Sequence, residues 1–118
     1  MNSIELFSGT GGLALGLQQA GFDHKALFEW DKASCENIKE NIANGYPGVR
    51  DWKVYQTDVR TVNYNGYTGS IQLVAGGPPC QPFSLGGKHQ AYNDKRDMFP
   101  EAVRAVRETQ PEAFIFEN

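Results

Sequence analysis

Residues 3–7, Ser-Ile-Glu-Leu-Phe, run straight into Ser8-Gly9-Thr10-Gly11-Gly12, and Leu13, Leu15, Leu17 and Ala20 follow before Gly21. A strand-length apolar run, a glycine-rich break and a buried helix closed by glycine make the opening β–loop–α unit of a parallel sheet. That unit constrains the rest of the chain, because each further parallel strand must be reached by a crossover, usually a helix. The pattern recurs along the sequence. Residues 25–29 read as a second strand, and Asp31 as the N-cap of a helix from about 32 to 44, ending before Gly45. Residues 53–56 predict a short third strand that delivers Asp58, and residues 63–70 a polar, glycine-rich connection in which no helix is expected. Residues 71–75 predict a fourth strand, followed by a long irregular connection over 81–97. Helical spacing over 98–109 puts Phe99, Ala102, Val103 and Val106 on one face, Pro111 ends it, and residues 113–116 predict a fifth strand. The expected architecture is an α/β, doubly wound, mostly parallel sheet of order 3-2-1-4-5.

Composition narrows the class. The 118 residues suffice for one domain at most, and 40% apolar with 21% charged residues is ordinary for a soluble globular fold. The uncharged stretch 61–87 is too rich in Gly, Asn and Pro to span a membrane, and no signal peptide is read at the N-terminus. Two cysteines, Cys35 and Cys80, make a disulfide scaffold implausible and a cytoplasmic setting the expectation. A net charge of −3 argues against a tight grip on a nucleic acid backbone by this segment alone. The nearest local excess of cations, Lys88, His89, Lys95 and Arg96, follows Cys80.

The residues able to do chemistry fall at the carboxyl ends of the expected strands, where open α/β sheets bind ligands. Gly9-Thr10-Gly11-Gly12-Leu13-Ala14 fits G-x-G-x-x-A, a turn whose backbone can approach a ligand, with helix amides facing it. Glu29 ends the second strand, 20 residues after Gly9, where a ribose-binding carboxylate is expected. Trp30 suits either stacking on an adenine ring or core packing. Asp58 suits either accepting from an adenine amino group or capping a turn. Cys80, at the break after the fourth strand, is a candidate thiolate nucleophile. Cys35 reads as a small half-buried side chain, and His24 and His89 have no partners at metal-ligand spacing, so no metal site is expected.

Together these motifs resemble the cytosine-C5 DNA methyltransferases, in order and over essentially the whole length. Residues 5–12 (ELFSGTGG) look like the family's opening S-adenosyl-L-methionine (AdoMet) block, Phe28-Glu29-Trp30-Asp31 like its second, and Thr57-Asp58-Val59 like its third. Residues 77–84 (GPPCQPFS) match the block around the catalytic cysteine, and Phe116-Glu117-Asn118 the start of the Glu-Asn-Val block. The resemblance implies a Rossmann-like AdoMet-dependent fold. It implies Phe7, Gly9, Thr10, Gly11 and Gly12 near the methionine part, Glu29 at the ribose, Trp30, Asp58 and Val59 at the adenine, and Pro79 also at the cofactor. Cys80 would add to C6 of a cytosine flipped out of double-stranded DNA. Glu117 would hold N3 and the exocyclic amine as a partly desolvated acid of raised pKa. Gln81, Ser84, Arg96 and Asn118 would lie on the substrate side.

The family's later blocks have no counterpart in these residues: neither the target-recognition domain nor the C-terminal segment that completes the cofactor pocket. The expectation is the N-terminal part of the AdoMet-binding catalytic domain, truncated after the fifth strand. It would not methylate DNA alone, being a fragment or one half of a split enzyme whose second polypeptide carries the missing blocks. Two alternatives share these residues: the core of a tRNA cytosine-C5 methyltransferase, and a non-catalytic module binding AdoMet or a protein partner.

Overall fold

The computed structural model describes residues 1–79 and 97–118. Five parallel strands, β1 (Asn2–Leu6), β2 (Asp23–Glu29), β3 (Val54–Gln56), β4 (Leu73–Gly76) and β5 (Ala113–Phe116), form one sheet in the order β3-β2-β1-β4-β5. The first strand is therefore central, and the order reverses between β1 and β4, which opens a crevice at their carboxyl ends. This is the expected order.

Among the described residues three α-helices cover the sheet: α1 (Gly12–Gln19), α2 (Lys32–Ala43) and α3 (Phe99–Thr109). One core contains Ile4, Leu6, Ala26, Phe28 and Val74 from the strands, with Tyr64, Ile71 and Ala105 packed on them. The opposite face packs Leu27 with Ala14, Ile38, Val49 and Trp52, and Leu73 and Ala75 with Leu17. Local chemistry sets the helix ends. Asp31 caps α2 as predicted, accepting from the Ser34 amide at 2.8 Å. The α1 C-cap is Ala20, followed by Gly21 at φ 101°, a left-handed conformation that glycine adopts without a Cβ penalty.

Two expectations are revised. The connection over 63–70 contains a single 3-10 turn, Asn65–Tyr67, besides one at Val59–Thr61. Its anchor is Tyr64, fully buried and edge-on to Phe28 with ring centroids 5.5 Å apart. On α3 the buried positions are Ala102, Ala105 and Thr109, whereas Phe99 and Val103 are 44% and 41% exposed. Small residues bring the helix close to the sheet, and the larger apolar ones flank the seam.

Ser3 and His24 are buried polar residues remote from the crevice. The register of β1 against β2 slips between Ser3 and Ile4, placing Ser3 opposite His24, and the Ser3 hydroxyl and His24 Nδ1 lie 2.6 Å apart. Burial holds the imidazole neutral, pushing its pKa from 6.5 down to about 4. The unfolded chain thus takes up this proton first on acidification. The stability His24 contributes is complete above its ordinary pKa and declines as pH falls through that window, by about 3 kcal/mol in all. Urea midpoints across the window should show this loss in the wild type and a flatter profile in His24→Gln. A second expectation concerns Gly76, where an added Cβ would sit 2.6 Å from the Leu6 carbonyl oxygen. Gly76→Ala must push β1 and β4 apart, and thermal denaturation should show a loss of about 2 kcal/mol.

Candidate cofactor and active site

At the carboxyl ends of β1 to β4 lies a cavity of about 550 Å³, in the range of small-molecule sites. Each strand end contributes to its wall: Phe7 and Gly9 after β1, Glu29 and Trp30 at β2, Thr57 to Arg60 after β3, Gly77 and Pro79 after β4. Met98, just before α3, closes the far side.

The glycine loop follows β1 through a sharp change of direction. Phe7 has φ 58° and its amide donates to the Phe28 carbonyl at 2.8 Å; Gly9 and Gly11 also have positive φ. Left-handed backbone at a non-glycine residue is strained, and here the sheet holds it in place. Glu29 locks the loop from β2. Its Oε1 accepts from the Gly9 amide and its Oε2 from the Asp31 amide, each at 2.7 Å. Cys35, fully buried rather than half-buried as expected, donates its thiol to the Glu29 carbonyl at 3.5 Å. Burial and the nearby Glu29 charge push that thiol pKa up, which makes it a poor nucleophile.

Trp30 is 67% exposed on the cavity wall, so the core-packing reading of this residue is excluded. Asp58 takes the turn-capping role that was one of its two readings. It caps the Val59–Thr61 turn by accepting from the Arg60 amide, and it lines the cavity. The Arg60 guanidinium grips the same carboxylate at 2.6 Å and, with the amide, holds it below the usual carboxylate range. Val59 is buried beneath them. Thr10 and Gly11 turn instead toward a smaller cavity of about 160 Å³ lined by Ile38, Tyr46 and Trp52, and Gly12 begins α1.

Sequence reasoning missed Arg104 of α3, which supports the wall holding Asp58 from behind. Its Nη2 donates to the Val59 carbonyl and its Nη1 to the Val62 carbonyl, both at 2.8 Å. Glu101 and Glu108 pair with the same guanidinium at 2.8 and 2.9 Å, and it lies 5.1 Å over the Tyr64 ring. Glu108 also accepts from the Tyr64 amide. An arginine inside a helical repeat carries no sequence signal of such a role.

On the other side of the crevice, the Met98 amide donates to the Pro79 carbonyl at 3.1 Å and so joins the start of α3 to the end of β4. Glu117 follows β5 and its carboxylate lies against Gly77, where an added Cβ would require that side chain to shift. Glu117 is exposed, in place of the partial desolvation expected of it, as is Asn118. The buried acid is Glu5 on β1, 1% exposed, with its pKa raised to about 8 by burial and by the charges of Glu117 and Glu29. An acid between Ile4 and Leu6 on the first strand was the available signal. Cys80, Gln81, Ser84 and Arg96 lie outside the described residues.

Comparison with known proteins identifies the family. The sequence profile of the C-5 cytosine-specific DNA methylases matches residues 1–118. The type II methyltransferase M.NgoMIV of Neisseria gonorrhoeae is 46% identical over 98% of this chain, and M.PspPI of Psychrobacter sp. (strain TA137) 41% over the same share. The chain spans 35% and 26% of those two relatives' lengths. Among solved structures, a chain described as an E. coli prophage-encoded DNA modification methyltransferase is 35% identical with a TM-score of 0.66, over 94% of this chain and 30% of its own. A glycopeptide N-methyltransferase, MtfA, solved with S-adenosyl-L-methionine, shares the fold at 18% identity and a TM-score of 0.60, over 98% of this chain and 46% of its own. The chain belongs to the C-5 cytosine-specific DNA methylase family.

Proposed function

We propose that this chain is the N-terminal part of the AdoMet-binding catalytic domain of a DNA cytosine-C5 methyltransferase. The observation that carries this reading is one cavity lined by Phe7, Gly9, Glu29, Trp30 and Asp58, in a chain that matches the family profile over all of these residues. AdoMet fits the donor set: a carboxylate at the β2 end for ribose hydroxyls, an exposed indole for the adenine face, and an ionised Asp58 for its amino group. When bound, AdoMet supplies an electrophilic methyl group.

The chain's own residues prepare the acceptor. Cytosine C5 is a poor nucleophile, and addition of the Cys80 thiolate to C6 of the flipped base makes C5 electron-rich. Glu117 holds N3 and the exocyclic amine, so that charge developing on the ring meets a hydrogen-bonded partner. Loss of the C5 proton and elimination of Cys80 then restore the aromatic ring. The Pro79 carbonyl, just before the cysteine in sequence, accepts from the Met98 amide. Double-stranded DNA is the substrate in this reading, and Gln81, Ser84, Arg96 and Asn118 are its contacts here. A second polypeptide carrying further blocks is a partner if the natural enzyme is split.

The decisive experiment presents duplex DNA containing 5-fluorocytosine, with AdoMet, to this chain with and without a polypeptide carrying the family's later blocks. A covalent complex that vanishes in Cys80→Ser is expected; its absence from the complete system would overturn the reading, and trapping on tRNA alone would redirect it. For the cofactor pocket, Trp30→Ala should leave the melting temperature nearly unchanged, because the indole is exposed. The same change should weaken AdoMet binding about tenfold, as read by calorimetry, in keeping with about 1–3 kcal/mol for stacking on an aromatic side chain.

A further inference from the structure

Two sides of the large cavity belong to strands that do not touch. Thr57 to Arg60 follow β3 and Pro79 follows β4, and the order β3-β2-β1-β4 sets two strands between them. Helix α3 spans the gap. Its N-cap residue, Met98, lines the cavity and donates its amide to the Pro79 carbonyl at 3.1 Å. Six residues on, about 9 Å along a helix, Arg104 donates Nη2 to the Val59 carbonyl and Nη1 to the Val62 carbonyl, both at 2.8 Å. Glu108, one turn further, accepts from the Tyr64 amide at 2.9 Å, and its own carbonyl accepts from the Thr68 hydroxyl at 2.6 Å.

Charge pairing alone does not require this arrangement. Glu101 and Glu108, three residues before Arg104 and four after it, meet the guanidinium from its own helix at 2.8 and 2.9 Å. The two carbonyl bonds go beyond that pairing, and they pick out the turn whose N-cap is Asp58. The same turn fixes Asp58. Its carbonyl accepts from the Thr61 amide at 2.9 Å and from the Thr61 hydroxyl at 2.7 Å, and its carboxylate accepts from the Arg60 amide at 2.9 Å. Where Val59 and Val62 are held, the Asp58 carboxylate is aimed. Arg104 itself does not line the cavity.

We propose that Arg104 is a positioning residue for the adenine of the cofactor: from α3 it holds the Asp58 turn at a set distance from the Pro79 side, which places the carboxylate to accept from the 6-amino group. The inference rests on the AdoMet reading above and adds to it a residue that touches no ligand. A hydrogen bond of this kind tolerates only a few tenths of an ångström around about 2.9 Å. A loosened turn therefore loses the bond, while the exposed face of Trp30 on the opposite wall remains for stacking. Arginine suits the task because its planar fork holds two carbonyls at once. A lysine ammonium is a single point on a flexible stem and does not fix the pair in one geometry.

Calorimetry on the full-length protein compares S-adenosyl-L-homocysteine with its analogue carrying hydrogen in place of the 6-amino group. The wild type should bind the amino form about tenfold more tightly, as one hydrogen bond to a charged acceptor provides. In Arg104→Met the ratio should fall to within about twofold, through weaker binding of the amino form. Arg104→Lys keeps a positive charge between Glu101 and Glu108, so its melting temperature should stay close to that of the wild type while the ratio falls likewise. A purely structural arginine would move the melting temperature and leave the ratio alone. An undiminished ratio in either folded variant therefore overturns the proposal, and Arg104→Lys decides the matter if Arg104→Met does not fold. Equal binding of the two ligands by the wild type also overturns it and leaves the cofactor reading intact. Binding of neither by the wild type overturns both.

Discussion

One carboxylate holds the working end of this sheet together. Glu29 accepts from the Gly9 amide with one oxygen and from the Asp31 amide with the other, so it fastens the glycine loop to β2 and β2 to the start of α2. Charge-assisted bonds to backbone amides are short and strong, and both of these are made at the strand end where the chain must turn. Glu29 also lines the cavity, so the residue that shapes the loop is the one proposed to meet the ribose. A single substitution there would disturb support and recognition together. That coupling is physical: a carboxylate has enough lone pairs to serve two amides and still accept a ligand hydroxyl.

Much of this was legible before any coordinates. Alternating apolar runs and helical stretches gave the strand order, because a parallel sheet with right-handed crossovers admits few topologies. Asp31 announced the start of α2, and the spacing from Gly9 to Glu29 announced one wall of the cavity. The exposure of Trp30 was not legible, since an indole serves equally well in a core. Nor was the packing face of α3, where Ala102 and Ala105 displaced the larger Phe99 and Val103 from the seam. Hydrophobic spacing identifies a helix face to within a residue or so, and the size of the side chains decides which edge of that face approaches the sheet.

The acids taught a different lesson. Spacing marks strand ends and motif blocks, and so it singled out Glu29, Asp58 and Glu117; burial is a tertiary property that spacing does not record. Glu5, on the central strand, is buried and Glu117, after the last described strand, is exposed, a difference that spacing alone does not carry. Arg104 lay beyond reach on similar grounds, since its partners are 42 and 45 residues away in sequence.

The Arg104 clamp has a consequence for how such a pocket can change. Its two donors reach the carbonyls of Val59 and Val62, and no side chain of that segment. The clamp is therefore blind to what residues 59–62 carry outward, provided their backbone keeps its turn. The Arg60 side chain, which lines the cavity and pairs with Asp58, is not among the clamp's partners. Helix, clamp and backbone form one frame that fixes the turn, and the side chains mounted on it form a cavity rim whose identity the clamp does not dictate.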